Sequence, residues 1–372
     1  MNETLAAIAE TLRGILSARC DAKALREADG GAWSGDLWSA LEEAGVPGST
    51  IAEDAGGLGL GLEEAVFMAR VAASHAAPVP LAETLLAQWL WHSAQGAQPA
   101  PEAPLGQRLT MHIADGLAPV AAGAAISAEL ARVPWARHAD VLLLVIPNGD
   151  RCQLVRIGLA ATGVRLTPAA NLADEPRDRV HLTGVETGPR DVRSLARPAE
   201  DVLAMMALMR AAQMVGAMEA AVAISVGYAN ERVQFGRPLG KFQAIQSHLA
   251  GMAEELAAAT VALEQAAASI GEPARRPLAW VAKALASESA GHIAAASHQV
   301  HGAIGFTREY RLQPLTRRLW SWREECGNEA FWYDKLGGLA MHNGADALWP
   351  WLTDISPSSG AISKSATNSG AT

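Results

Sequence analysis

Cysteine is scarce in this chain: Cys20, Cys152 and Cys326 stand far apart among 372 residues. No CxxC pair occurs, so neither a disulfide framework nor a zinc site is expected, and a reducing cytoplasm fits best. Positive charge is also in deficit. Thirty basic residues face 39 acidic ones, a net charge of −9, and no basic cluster reverses the balance. A nucleic-acid partner is therefore not expected. No stretch approaches the roughly 20 apolar residues that span a membrane. The opening MNETLAAIAETLRGIL lacks the basic start and apolar run of a secretory signal.

What the sequence does have is a 50% hydrophobic content, enough for two or three units, each with its own core. Residues 1–105 read as an N-terminal helical domain. Leu5, Ile8, Ala9, Leu12 and Leu16 follow a three-four spacing that places them on one helix face. Further helices are predicted over 36–44, 63–73 and 81–94, with a glycine-rich loop over 51–62 and a proline-rich linker over 95–106. Residues 106–190 read as a small β middle domain. An apolar run at 141–146, the turn Pro147-Asn148-Gly149-Asp150 and a second run at 153–157 predict a hairpin. Strands are also expected over 163–166 and 179–182.

Residues 191–355 read as a C-terminal four-helix bundle, with long helices over 202–229, 238–268, 278–303 and 315–342. The remainder, 356–372, is rich in Ser, Gly and Thr and reads as a disordered tail. The fold class is thus α+β, mainly α.

Two segments carry the chemistry. In YANERVQFGRPLGKFQAI, from Tyr228 to Ile245, the residues Arg232, Gln234 and Phe235 sit where a long helix stops at Gly236. An arginine at such a corner offers a planar fork of donors to a diphosphate; a solvated Arg beside a core Phe is the plain alternative. In QVHGAIGFTREY, from Gln299 to Tyr310, Gly302 and Gly305 flank Ala303 and Ile304 at a helix end. Missing side chains there let backbone approach a ligand; a simple capping glycine is the alternative. His301, at an apolar helix end, reads as structural rather than as an acid or base.

Both segments closely resemble the paired signatures of the acyl-CoA dehydrogenase family, at that family's spacing. The loop Glu53-Asp54-Ala55-Gly56-Gly57 and the helix–β–helix order extend the likeness over nearly the whole chain. The resemblance implies a flavoenzyme that removes hydrogen from the α and β carbons of an acyl-CoA thioester. It implies that Arg232, Gln234, Phe235 and Gln243 reach the FAD of a neighbouring subunit, with Gln299, Gly302 and Ala303 at its adenosine end. An electron-transferring flavoprotein is the implied electron acceptor. The sequence departs from the family by Ala303 in place of a second Gly and by Arg318 in place of an acidic residue.

The family reaction needs a carboxylate whose pKa lies near neutrality. Counting nine residues from Arg317 lands on Cys326, followed by Gly327, where most members have Glu before Gly. The alternative position, on the first long helix of the bundle, holds Met206, followed by Ala207. Three readings stay open: the neighbouring Glu325 is the base, Cys326 acts instead, or a partner subunit supplies the carboxylate. A TE-x-x-GSD-like flavin stretch is also missing from 106–190, although Val133-Pro134-Trp135-Ala136 with Ala139-Asp140 is similar to the strand near the flavin ring. This pattern resembles the unlike paired subunits of bacterial heterotetrameric members, including those acting on bulky steroid side-chain thioesters. A self-sufficient homo-oligomer using Glu325 and a flavin-free helical scaffold are the competing readings. Met205, Met206 and Met209 read either as an adaptable substrate wall or as ordinary core.

Overall fold

The computed structural model describes residues 3–96, 106–270, 272, 276–344 and 346. Most of the proposed linker and the whole of the proposed tail lie outside them. Helix α1 (Glu3–Arg19) buries Leu5, Ala9, Leu12 and Leu16 on one face, as their spacing predicts. It is followed by α2 (Ala22–Asp29), α3 (Gly35–Glu43), α4 (Leu62–Ser74) and α5 (Leu81–Ser93). Helix α2 escapes a periodicity reading because its eight residues bury only Leu25.

Two sheets follow. The first has the order β1 (Leu109–Ile113), β3 (Val141–Asn148), β4 (Arg151–Gly158) and β7 (Val192–Leu195); β1 runs parallel to β3. The second has the order β2 (Ala125–Pro134), β6 (Arg177–Glu186) and β5 (Val164–Thr167). Strand β3 is buried on both faces. Leu142, Leu144 and Ile146 pack toward the second sheet, while Leu143 and Val145 join the helical core. Its sequence is therefore continuously apolar rather than alternating. The predicted hairpin is present, with Asn148 paired to Arg151 across a turn at Gly149. Strands β1 and β7 were not expected, and of β2 only its end, Val133-Pro134, was. Trp135 is left-handed (φ 54°) and Ala136 opens a 3₁₀ turn, so the strand stops there. Strand β2 is mostly exposed along one side and carries Ala at three positions, which hides its period.

The C-terminal part begins with α6 (Ala199–Glu231), a helix of 33 residues. By length and composition alone it could cross a membrane, contrary to the expectation for the chain. Yet 67% of its most apolar window is buried inside the protein, against α4, α7, α8 and α9. An apolar surface on all sides is what a central bundle helix needs.

The second long helix, α7 (Gln243–Ala268), starts later than Pro238. Pro238 instead closes a tight hairpin, β8 (Val233–Gln234) with β9 (Arg237–Pro238). Helix α8 (Arg276–His301) agrees with expectation, but the last predicted helix is two: α9 (Leu312–Glu324) and α10 (Glu329–Asn343). Left-handed backbone at Cys326 (φ 57°) and Gly327 (φ 86°) breaks it. The buried Lys283 holds the break, its Nζ donating to the carbonyls of Arg323 (2.9 Å) and Gly327 (2.7 Å) and to Ser287 (2.8 Å).

Candidate active site

The first signature forms a corner that points away from the protein. Helix α6 ends because Arg232 turns extended (φ −74°, ψ 114°), its N–H still bonded to the Tyr228 carbonyl. The chain then reverses through Phe235 (φ 52°) and Gly236 (φ 79°). A Phe in left-handed backbone is strained, and here the strain holds its ring outward, 90% exposed and edge-on to Phe242. Arg232 and Gln234 are exposed, as is Gln243, the first residue of α7. No ion pair engages Arg232 among the described residues.

The second signature forms the adjoining edge. Helix α8 ends at His301, Gly302 takes φ 64°, and a 3₁₀ turn follows over Gly302–Phe306. Gln299, Gly302 and Ala303 are exposed, with Ile304 and Phe306 beside them. A Cβ at Gly302 would meet nothing within 4 Å, so this edge is open. The two signatures meet where the Tyr228 ring stacks on His301, centroids 4.5 Å apart. His301 is buried, and its Nδ1 donates to the Ser297 carbonyl at 2.8 Å. Burial lowers its pKa. It holds the corner together and faces no cavity. Exposed donors beside exposed apolar side chains and a glycine edge suit an anionic dinucleotide.

A separate cavity of about 750 Å³ lies between α5, the sheets and the bundle. Its lining includes Met206 and Cys326, so the two positions at which the resemblance puts a base converge on one space. Met209 lines it too, whereas Met205 is buried in the helical core. Pro134, the last residue of β2, contributes to the opposite wall.

Because the chain turns at Cys326, the rotation of a regular helix does not separate it from Glu325, and both reach the cavity. The Glu325 carboxylate is already occupied. Arg177 donates from Nε to Oε1 (2.8 Å) and from Nη2 to Oε2 (2.9 Å). Asn171 donates to Oε1 at 3.0 Å, and Arg210 Nη2 lies 2.9 Å from Oε2. Burial alone would raise its pKa, but Arg177 and Arg210 outweigh that and hold it at about 2. Such a carboxylate is a weak base at neutral pH. The Cys326 thiol moves the other way: burial pushes its pKa up, against the pull of Arg210. It stays protonated near pH 7.

The ion network extends below Glu325. Glu175 accepts from Arg177 Nη2 (3.0 Å) and from Trp322 Nε1 (2.8 Å), and pairs with Arg318 Nε at 3.2 Å. The unexpected Arg318 is thus neutralised by Glu175. Arg210 also donates to Glu83 Oε1 at 3.0 Å. The sequence reading singled out neither Arg177, Arg210, Glu175, Asn171 nor Glu83. Asn171, Glu175 and Arg177 are near neighbours that bond one another. Their links to Glu325, Arg318 and Trp322, and that of Glu83 to Arg210, cross more than a hundred positions, and no local spacing reveals them. Among the described residues, no group of three metal-ligating side chains occurs.

Residues 2–98 match the family described as "Acyl-CoA dehydrogenase, N-terminal domain", and residues 197–329 match "Acyl-CoA dehydrogenase, C-terminal domain". Over 292 residues the chain is 30% identical to "Acyl-CoA dehydrogenase IpdE2" of Mycobacterium tuberculosis, covering 76% of this chain and 79% of that one. The fold superposes on one chain of the ChsE4-ChsE5 complex from Mycobacterium tuberculosis with a TM-score of 0.83 and 22% identity, covering 93% of this chain and 99% of that chain. A variant of the Tcur3481-Tcur3483 steroid ACAD gives a TM-score of 0.80 at 26% identity, over 92% of this chain and 98% of that one.

Proposed function

This chain belongs to the acyl-CoA dehydrogenase family, and we propose that it serves the FAD-dependent α,β-dehydrogenation of an acyl-CoA thioester as one subunit of a heteromer whose partner supplies the catalytic carboxylate. One observation carries the reading. An open corner with exposed Arg232, Phe235 and Gly302 coexists with a cavity whose two implied base positions hold Met206 and Cys326, while Glu325 is locked between Arg177 and Arg210. A thioether cannot take a proton from carbon, and a carboxylate with two guanidinium partners gives up its basicity.

FAD, when bound, supplies the acceptor for the hydride leaving the β carbon. The residues of this chain grip it rather than react. Arg232 offers its guanidinium to the diphosphate, with Gln234 and Gln243 as flanking polar contacts. Phe235 covers the cofactor with an apolar ring. Gln299 hydrogen-bonds at the adenosine end, where Gly302 and Ala303 keep the backbone approachable. The corner faces outward, which supports its service to the FAD of a neighbouring subunit.

That neighbour is proposed to be a homologous chain in a heterotetramer. The structural likeness to a protein described as a complex of two unlike chains, and to one described as a steroid ACAD, supports an unlike partner and a bulky acyl group. Three free thiols fit work in a cytoplasm, with an electron-transferring flavoprotein as the acceptor of the electrons.

The test is purification with and without a co-expressed homologous partner. The expected result is flavin absorbance and acyl-CoA-dependent dye reduction only in the co-expressed complex. Yellow colour and turnover from this chain alone would instead establish a self-sufficient homo-oligomer. A colourless product in both preparations would leave a scaffold.

A further inference from the structure

Two arginines share one tryptophan. Trp91, near the end of α5, is 1% exposed, and the guanidinium carbons of Arg156 and Arg193 lie 5.3 and 4.9 Å from its ring centroid. Arg193 of β7 pairs in register with Leu154 of β4, and the Arg156 N–H donates to the Asp191 carbonyl. Residues 154 and 156 point to the same side of β4. The two arginines therefore stand diagonally adjacent on one sheet face, beneath α5.

Their hydrogen bonds use only part of each fork. Arg193 Nη1 caps α5, donating to the carbonyls of Trp91 (3.1 Å) and Ala94 (3.0 Å). Arg156 Nη2 donates to Gln107 Oε1 at 2.5 Å. Nε and Nη2 of Arg193, and Nε and Nη1 of Arg156, have no partner among the described residues. No described carboxylate forms an ion pair with either arginine. Asp191 instead accepts from the Gly188 N–H at 2.8 Å. Burial lowers the pKa of Arg193, and it lowers that of Arg156 too, opposed by Asp191 and aided by Arg193. Cations this sheltered are normally paired.

The shortage of acceptors extends along α5. Gln88, Trp91 and His92 stand three and four positions apart, on one side of the helix. Gln88 is 1% exposed. Its amide oxygen and nitrogen, Trp91 Nε1 and His92 Nε2 are all buried with no hydrogen-bond partner among the described residues. An indole nitrogen can only donate. Burial lowers the pKa of His92, and Arg193 and Arg156 lower it further against the pull of Asp54, so the imidazole lies within the field of both guanidiniums. Donors and positive charge are thus in excess. A guanidinium fork matches the oxygens of a phosphate, which brings acceptors and negative charge together. The cavity lining includes none of these residues.

We propose that the junction of α5 with β4 and β7 binds a phosphate group, free or esterified, between the guanidiniums of Arg156 and Arg193 and beside His92. The site needs neither flavin nor acyl-CoA, so it stands apart from the dehydrogenase reading.

The experiment is isothermal titration of the full chain at pH 7 with inorganic phosphate and with phenyl phosphate, at an ionic strength fixed by sodium chloride. Saturable binding at one site per chain is expected. Tighter inorganic phosphate marks a site for the free ion, and tighter phenyl phosphate marks a site for an ester; either supports the proposal. Arg156→Gln should weaken the tighter ligand at least about tenfold, as the loss of a charge-assisted pair implies. Arg232→Ala, at the distant corner, should leave that affinity within about twofold. Should Arg156→Gln fail to fold, Arg156→Lys decides. It keeps the charge over Trp91 but loses the fork, and should weaken binding at least about threefold. No saturable binding, an unchanged affinity in a folded Arg156 variant, or an affinity lost in Arg232→Ala instead would each overturn the proposal. None of these outcomes involves flavin, so they leave the dehydrogenase reading untouched.

Discussion

Tyr228 lies over His301 with ring planes 27° from parallel, and Tyr310 meets Tyr228 edge-on. This contact joins two segments some seventy positions apart and sets the distance between the Arg232 corner and the Gly302 edge. Tyr228→Ala should therefore lower the unfolding free energy by about 2 kcal/mol and reduce flavin retention in the complex. Tyr228→Phe keeps the stack and should stay within about 0.5 kcal/mol of wild type. Urea denaturation of both variants checks the contrast.

Arg232 is exposed and touches no acidic partner among the described residues. Its removal should leave the fold unchanged within about 0.5 kcal/mol. In the co-purified complex, Arg232→Ala should lower the flavin-to-protein ratio at least about tenfold at micromolar concentrations, the loss of a charge-assisted pair to phosphate. Full flavin occupancy in that variant would remove the diphosphate role.

Gly302 and Gly327 share left-handed backbone but differ in surroundings. A Cβ at Gly302 meets open space, so Gly302→Ala should cost only about 1 kcal/mol of stability while weakening flavin binding. A Cβ at Gly327 would sit 2.5 Å from Phe331 Cδ1 and 2.9 Å from Trp332 Nε1. Gly327→Ala should therefore cost about 3 kcal/mol through strain and overpacking. Thermal melts of the two variants should rank in that order; the reverse order would contradict the geometry.

Glu325 should show itself through pH as well as through mutation. Its native pKa of about 2 lies below the ordinary value of 4.5. The stabilisation it supplies is complete above 4.5 and is lost as pH falls from 4.5 toward 2, on the order of 3 kcal/mol. Glu325→Gln should be less stable than wild type at pH 7, and the gap should narrow across that acid window. In the assembled complex it should keep turnover within about threefold, since a group that only braces the site takes no part in proton transfer. A well-folded variant with no turnover would make Glu325 the base after all.

The sequence revealed the parts whose signals are local. The three-four spacing from Leu5 to Leu16 marks the buried face of α1, and the apolar run of β3 ended in a recognisable Asn-Gly turn. The corner residues announced themselves because Arg232, Phe235 and Gly236 fall within five consecutive positions. The break after α9 was hidden, since the left-handed residue there is a cysteine, which carries no turn signal. Pro238 suggested a helix start but closes a hairpin, an outcome set by the reversal at Phe235 and Gly236. The Arg177–Glu325 pair was invisible for a different reason: 148 positions separate its members, and only the docking of β6 beneath the α9 turn brings them together. Electrostatic compensation across such a span leaves no pattern to read.

The corner sits where α6 and α8 end and α7 begins, in the β8–β9 hairpin and the turn after α8, whereas the cavity takes its walls from α5, the sheets and earlier turns of α6; the two share a helix but no residue. The two can consequently drift independently. Substitutions in the first hundred residues or in the strands would reshape the inner chamber and leave the outward corner, to which we assign the cofactor, unchanged. On the proposed reading, Met206 and Cys326 can occupy the chamber in place of carboxylates while the Arg232 corner keeps its geometry.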